Sequence, residues 1–356
     1  MTSVAYSHPF VVGVDTHARK HVYSILAAPS GERIDTRDFP ATGAGIDRAI
    51  AWVARLTGAD PATLWVIEGA ASYGAVLAGA VAAAGYQVAE AARMDAKTRR
   101  GIGKSDPLDA HRIASTVLSL EEDKLRRPRL NEGVRAALRV LVSARQSMTT
   151  DRTRTVNALT ALLRVNDLGA DARKPLTGTQ ILEISRWRAR EEPLALSVAR
   201  SEAVRLAKRI NDLDADIKTN GNRITELVEI SEAAPLLQEP GFGPVTAAIC
   251  LTAWSHRGRV RSEAAFASLA GANPIPASSG NTVRHRLNRG GDRTLNKALH
   301  MAALSRMAFD PETINYTAKR EAEGRTKKEI RRCVKRYLAR RIYRTLNANS
   351  PMPSFR

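Results

Sequence analysis

The sequence predicts an α/β N-terminal domain, a helical middle and a mainly α C-terminal part. Three observations predict this. Short β-branched runs alternate with helical spacing over residues 10–128, the pattern is almost wholly helical over 129–234, and the composition changes at Pro235. Phe10–Asp15, His21–Ala27 and Arg33–Phe39 read as strands of an antiparallel meander, separated by turn residues such as Pro29-Ser30-Gly31. Gly45–Leu56 carries Ile46, Ile50, Val53 and Leu56 at helical spacing. Leu64–Ile67 is a buried-strand run, Tyr73–Ala84 a helix and Gln87–Ala91 another strand. Ser105–Leu120 starts a helix with Asp106 ahead of Pro107.

Three antiparallel strands followed by alternating helix and strand is the order of a ribonuclease-H-like fold. A doubly wound nucleotide-binding fold opens β-α-β with a glycine-rich first turn, where this chain has Val14-Asp15-Thr16-His17. The predicted divisions are 8–128, 129–234 and 235–356. In the middle part Leu206, Ile210, Leu213, Ile217, Asn220, Ile224 and Leu227 alternate by four and three, a coiled-coil seam in which Asn220 fixes register. An amphipathic helix in a bundle has the same stripe. Pro175, Gly178 and Pro193 break the helical arms. In the last part, Leu236–Ala247 has the apolar–Pro–Gly–apolar–Gly form of a helix-hairpin-helix, in which Gly241 and Gly243 let backbone N–H groups meet a phosphate. A tight turn between packed helices is the other reading. Leu295–Met307 and the basic Thr326–Leu346 are further amphipathic helices.

Charge narrows the partners. The 356 residues include 55 Lys plus Arg against 36 Asp plus Glu, a net charge of +19, and such an excess favours a polyanion through counterion release. A membrane surface ranks lower than nucleic acid, because no apolar run is long and clean enough to span a bilayer. The N-terminus has no export-signal pattern, and two cysteines, Cys250 and Cys333, make neither a disulfide framework nor a zinc site. A cytoplasmic, nucleoid-associated protein is expected. Aromatics are only 5%, so contacts should go to the nucleic-acid backbone and not to stacked bases.

Two stretches carry chemistry. In Asn273–Asp292 the turn Ser278-Ser279-Gly280 is followed by Arg284, His285, Arg286 and Arg289. A serine hydroxyl beside guanidinium forks suits attack on a phosphodiester. The same residues also make an ordinary turn with a solvated basic face. Near the start, Asp15 ends the first strand, Glu68 ends the Leu64–Ile67 run, and Asp106 and Asp109 share one side of a helix. Four carboxylates so placed suit Mg²⁺, with Mn²⁺ as the substitute, and paired ions activate an attacking oxygen while stabilising a leaving one. Against this, Asp106 before Pro107 also suits an N-cap, with Asp109 favoured by the helix dipole. His17, His21 and His111 match no compact metal motif and read as surface or secondary contacts.

Val12-Gly13-Val14-Asp15-Thr16-His17, Val66-Ile67-Glu68-Gly69 with Ser72-Tyr73-Gly74, Gly103-Lys104-Ser105-Asp106-Pro107-Leu108-Asp109-Ala110, and Phe266-Ala267-Ser268-Leu269-Ala270-Gly271 leading to Pro274 and Ser279-Gly280 occur in order. Together they closely resemble the DEDD-type transposases of bacterial insertion sequences, the Piv-like serine recombinases of the group guided by a bridge RNA. The resemblance implies a RuvC-like N-terminal domain with Asp15, Glu68, Asp106 and Asp109 as its acids, a coiled-coil middle, and a C-terminal transposase domain whose nucleophile is Ser279, with Ser278 the adjacent alternative. It also implies dimers assembling into a tetrameric synapse, donor and target DNA, and an RNA that pairs with both. One departure is visible: the Thr-Gly or similar pair between the family's Glu and Tyr is Ala70-Ala71 here, which predicts a stiffer loop beyond Glu68. The rival readings are a metal-dependent, structure-selective nuclease of the junction-resolvase type, which needs no serine, and a non-catalytic binding protein with structural acids.

Overall fold

The structure is a computed structural model, and it describes residues 2–91, 105–130, 132–278 and 285–350. The chain divides into two compact units, residues 1–131 with 255–261, and residues 132–254 with 262–350.

The first unit is built on a five-stranded sheet of order β3-β2-β1-β4-β5. Its strands are β1 (Phe10–Thr16), β2 (Lys20–Ala27), β3 (Glu32–Pro40), β4 (Leu64–Ile67) and β5 (Gln87–Glu90). β1–β2 and β2–β3 pair antiparallel, whereas β1–β4 and β4–β5 pair parallel. The helices are α1 (Val4–Ser7), α2 (Gly43–Thr57), α3 (Ala75–Ala83) and α4 (Asp106–Leu118). A mixed sheet of this order, with helices on both faces, is consistent with a ribonuclease-H-like domain.

Strand periodicity sorts the core into two layers. Val12, Val14, Tyr23, Ile25, Trp65 and Ile67 pack on the side of α2 and α3. Val11, Leu26, Leu64 and Val66 pack with Ile113, Ala114 and Val117 of α4. Gly13 shares the α4 face, and a Cβ there would sit 2.2 Å from Ala110 O and 2.5 Å from Ala114 N. Only glycine permits so close an approach of helix to strand. The same alternation places Asp15 on the α4 side.

Among its described residues, the second unit is helical apart from one short ribbon. α5 (Gly133–Val165) and α7 (Leu194–Glu229) are long arms, joined through α6 (Gly178–Ser185), whose capping box pairs Thr177 with Gln180. Leu159, Leu163, Ile181, Ile184, Ala203 and Ile210 form the core of this arm. Farther along α7, Leu213, Asn220 and Ile224 are buried. Asn220 donates to Leu141 O at 3.0 Å, and Arg145 of α5 donates to Ile217 O at 2.8 Å. The polar seam residue therefore meets its partner within one chain. A 3₁₀ turn (Ala234–Gln238) precedes α8 (Pro244–Trp254), followed by α9 (Glu263–Leu269), α10 (Arg293–Phe309), α11 (Pro311–Ala322) and α12 (Lys327–Ala348). The ribbon pairs β6 (Ile275–Pro276) antiparallel with β7 (His285–Arg286). Among the described residues no helix is long and apolar enough to cross a membrane.

Candidate active site

The carboxyl end of β1, the turn after β4 and the first turn of α4 supply the acids. Parallel pairing continues one residue past β4, since Glu68 N–H donates to Val14 O at 3.0 Å. Thr16 Oγ1 donates to Glu68 O at 2.8 Å, so the backbone of Glu68 is tied to the end of β1 on both sides of Asp15. The chain bends immediately afterwards at Gly69, φ 62°, where a Cβ would crowd Ser72 Oγ and Thr16 Oγ1. The Glu68 side chain is exposed, and Ala70 is buried.

On α4 the N-cap position belongs to Ser105, leaving Asp106 as the first helical residue. That removes the capping explanation for Asp106. Its Oδ1 lies 3.8 Å from His17 Nε2, and the same nitrogen lies 3.1 Å from Asp15 Oδ2. Ligand atoms of Asp15, His17 and Asp106 all fall within 4.8 Å of one another. Asp109 is buried one turn on, with Arg112 3.5 Å from its Oδ1. Burial raises the Asp15 carboxyl above the ordinary range; the neighbouring His17 pulls it back, and the charges of Asp109 and Asp106 push it up again. Like charges held together around a buried carboxylate are costly without a cation. Carboxylate oxygens with one imidazole are a donor set that fits a divalent ion. Sequence reasoning set His17 aside as a secondary contact. The signal was its place two residues after Asp15, beyond the strand end, where the chain folds the ring back over the acid.

In the second unit, Ser279 and Arg284 lie outside the described residues, and Ser278, which is described, is exposed. Arg286 sits exposed in β7 and Arg289 is exposed beyond it. The stretch carrying them is pinned at both ends. Asp292 N–H donates to Leu269 O at 2.7 Å. Gly271 and Gly291 have φ of 62° and 90°, and a Cβ on Gly291 would lie 2.4 Å from Leu269 O. Asn296 Nδ2 donates to Ala270 O at 2.7 Å and accepts at Oδ1 from the buried Lys335, 2.8 Å away. Gly241, φ 80°, packs on α10, where a Cβ would be 2.8 Å from Ala302 O; Gly243 is exposed.

A ribonuclease-H-like sheet with acids at the ends of β1 and β4 and at the start of α4 defines a nucleic-acid-processing domain of the DEDD class. Residues 12–165 match the DEDD family of IS110 type described as Transposase, and residues 233–318 match the Transposase IS116/IS110/IS902 family. The chain is 26% identical over 366 residues to the insertion element IS900 uncharacterized 42 kDa protein of Mycobacterium paratuberculosis, covering 90% of this chain and 91% of that protein. It is also 26% identical over 347 residues to the insertion element IS110 uncharacterized 43.6 kDa protein of Streptomyces coelicolor, covering 84% of each. The chain belongs to the DEDD-type insertion-sequence transposases, enzymes that act on DNA.

Proposed function

We propose that the chain cuts and rejoins DNA through a covalent phosphoserine intermediate formed on Ser279. The observation that carries the metal half of this reading is the gathering of Asp15, His17 and Asp106 within 4.8 Å, beside the buried Asp109 and the tethered backbone of Glu68. Asp15, Glu68, Asp106 and Asp109 are the residues to hold Mg²⁺. Bound there, the ion would supply Lewis-acid stabilisation of charge on the reacting oxygens. The Ser279 oxygen bonds to phosphorus as the bond from phosphorus to the leaving DNA hydroxyl breaks. The serine proton is lost and the leaving oxygen takes one up. An incoming hydroxyl end reverses the step, so phosphodiester energy is retained. Arg284, Arg286 and Arg289 neutralise phosphate charge, and the turn at Gly241 and Gly243 serves as the helix-hairpin-helix contact to the backbone.

In the same reading residues 8–128 form the RuvC-like domain, 129–234 a helical dimerisation region whose α7 seam is covered by α5 of the same chain, and 235–356 the serine-bearing transposase domain. Dimers assemble into a tetramer, and a bridge RNA selects donor and target DNA. The ground for these parts is the motif resemblance carried by the sequence; the matched families speak only for a DEDD-type insertion-sequence transposase. The test incubates the protein, its candidate RNA and nicked suicide DNA with Mg²⁺ and searches by mass spectrometry for a nucleotide on Ser279. An adduct lost in Ser279→Ala is expected. Cleavage that survives Ser279→Ala would instead make the chain a metal-dependent nuclease of the resolvase kind.

A further inference from the structure

A groove of about 740 Å³ lies between α5, the first turn of α8 and the start of α10. Four cations line it (Arg145, Arg154, Arg293 and Lys297), and none of its lining residues is acidic. Arg293 and Lys297 are exposed, one helical turn apart, and neither forms an ion pair among the described residues. The Arg154 side chain is 77% exposed, and its guanidinium is only loosely engaged, 3.5 Å from Asp151. Arg145 is anchored to Ile217 O and holds the wall of the groove against α7.

The α5 side has a different chemistry between its cations. Thr149, Thr150 and Thr153 donate their hydroxyl protons to the carbonyls of Arg145, Gln146 and Thr149 on their own helix. They therefore make an uncharged surface, and an anion in the groove finds its charged donors at the arginines and the lysine. At the α8 end, Val245 and Thr246 stand in a first helical turn, whose N–H groups lack intrahelical acceptors. The volume falls in the range of about 300–1,000 Å³ that seats a compact ligand. That is room for a short piece of one strand's backbone.

We propose that this groove is a track for the phosphodiester backbone of a single nucleic-acid strand, with Arg154, Arg293 and Lys297 contacting phosphates. A lining of cations and neutral side chains with no acid matches repeated phosphate charge, and phosphodiester is the polyanion on which a DNA transposase works. None of the residues used belongs to the serine-bearing stretch 273–292. The inference rests on the nucleic-acid reading of the preceding section but on neither its metal nor its serine.

The test measures binding of short single-stranded DNA and RNA oligonucleotides of one sequence to the full chain, in EDTA, across a salt series. In Arg293→Ala/Lys297→Ala the affinity falls about tenfold and the slope of log affinity against log salt becomes shallower by about 1.4, two single-strand phosphate contacts' worth. A loss shared by DNA and RNA supports a backbone track, and a loss confined to one also supports it and names the strand. An unchanged slope, or an equal loss in the exposed control pair Arg188→Ala/Arg190→Ala, overturns it. Unchanged thermal unfolding of both variants shows that the fold is intact. Wild-type protein that binds neither oligonucleotide in a salt-dependent way would sink the nucleic-acid reading as well, whereas a silent groove variant beside normal wild-type binding sinks the groove alone.

Discussion

Lys335 Nζ donates to Asn296 Oδ1 at 2.8 Å, and Asn296 Nδ2 donates onward to Ala270 O at 2.7 Å. One half-buried amide thus ties α12 to the carbonyl just ahead of the serine-bearing stretch. Burial lowers the Lys335 pKa, and the charge of Arg331 lowers it further. Asn296→Ala removes a donor from the Ala270 carbonyl and an acceptor from a buried ammonium group. The expected cost is about 1–3 kcal/mol in urea denaturation. Adding Lys335→Met, which removes the stranded charge, should recover part of that loss. A double variant less stable than Asn296→Ala alone would contradict this account.

Asp15→Asn should act with opposite sign on stability and on metal binding. A carboxyl whose folded pKa is raised contributes stability below its unfolded pKa and loses it as pH climbs through the folded value. At neutral pH the ionised Asp15 therefore costs stability in the absence of a cation. The asparagine variant should melt higher than wild type in EDTA, and its melting temperature should no longer rise when a divalent ion is added. Calorimetric scans with and without Mn²⁺ decide this.

His17→Ala separates the imidazole from the carboxylates. Imidazole is a poor partner for Mg²⁺ and a better one for softer divalent ions. Titration calorimetry should show Mn²⁺ affinity reduced by about tenfold, with Mg²⁺ affinity little altered. Equal losses for the two ions would mean that the ring orders Asp15 and Asp106 without touching the metal.

Glu263, the first residue of α9, is held by Arg344 and Arg340 of α12, and their hydrogen bonds lower its carboxyl pKa to about 2. A depressed folded pKa contributes stability above the unfolded value, near the ordinary 4.5, and loses it as pH falls toward 2. Wild type should lose stability through that window, and Glu263→Gln should lose less. Identical acid-unfolding curves for the two proteins would rule the clamp out as a contributor.

The sheet was legible because strand runs and turn residues are local signals. The meander over Phe10–Phe39 and the strand Leu64–Ile67 come directly from β-branched periodicity, and β1 to β4 form where those runs lie. Asp15 and Glu68 were legible as acids that end apolar strands. His17 was not, since its approach to Asp15 depends on how the chain turns after Thr16, which no periodicity reports. The partner of the α7 seam was equally hidden. Spacing by four and three shows that Ile210, Leu213 and Asn220 need a cover, but it does not name the helix. In this chain α5 supplies Leu141 and Arg145 to that seam. The basic groove escaped for a related reason. Arg154 and Lys297 are far apart in sequence, and each alone reads as an ordinary solvated charge.

At Gly13 the main chains of β1 and α4 meet with nothing interposed. At that level the spacing of the strand that carries Asp15 and the helix that carries Asp106 is set like a gauge block, by bare backbone thickness. Position 13 is therefore one where even a single added methyl would push the helix bearing Asp106 and Asp109 off the strand bearing Asp15.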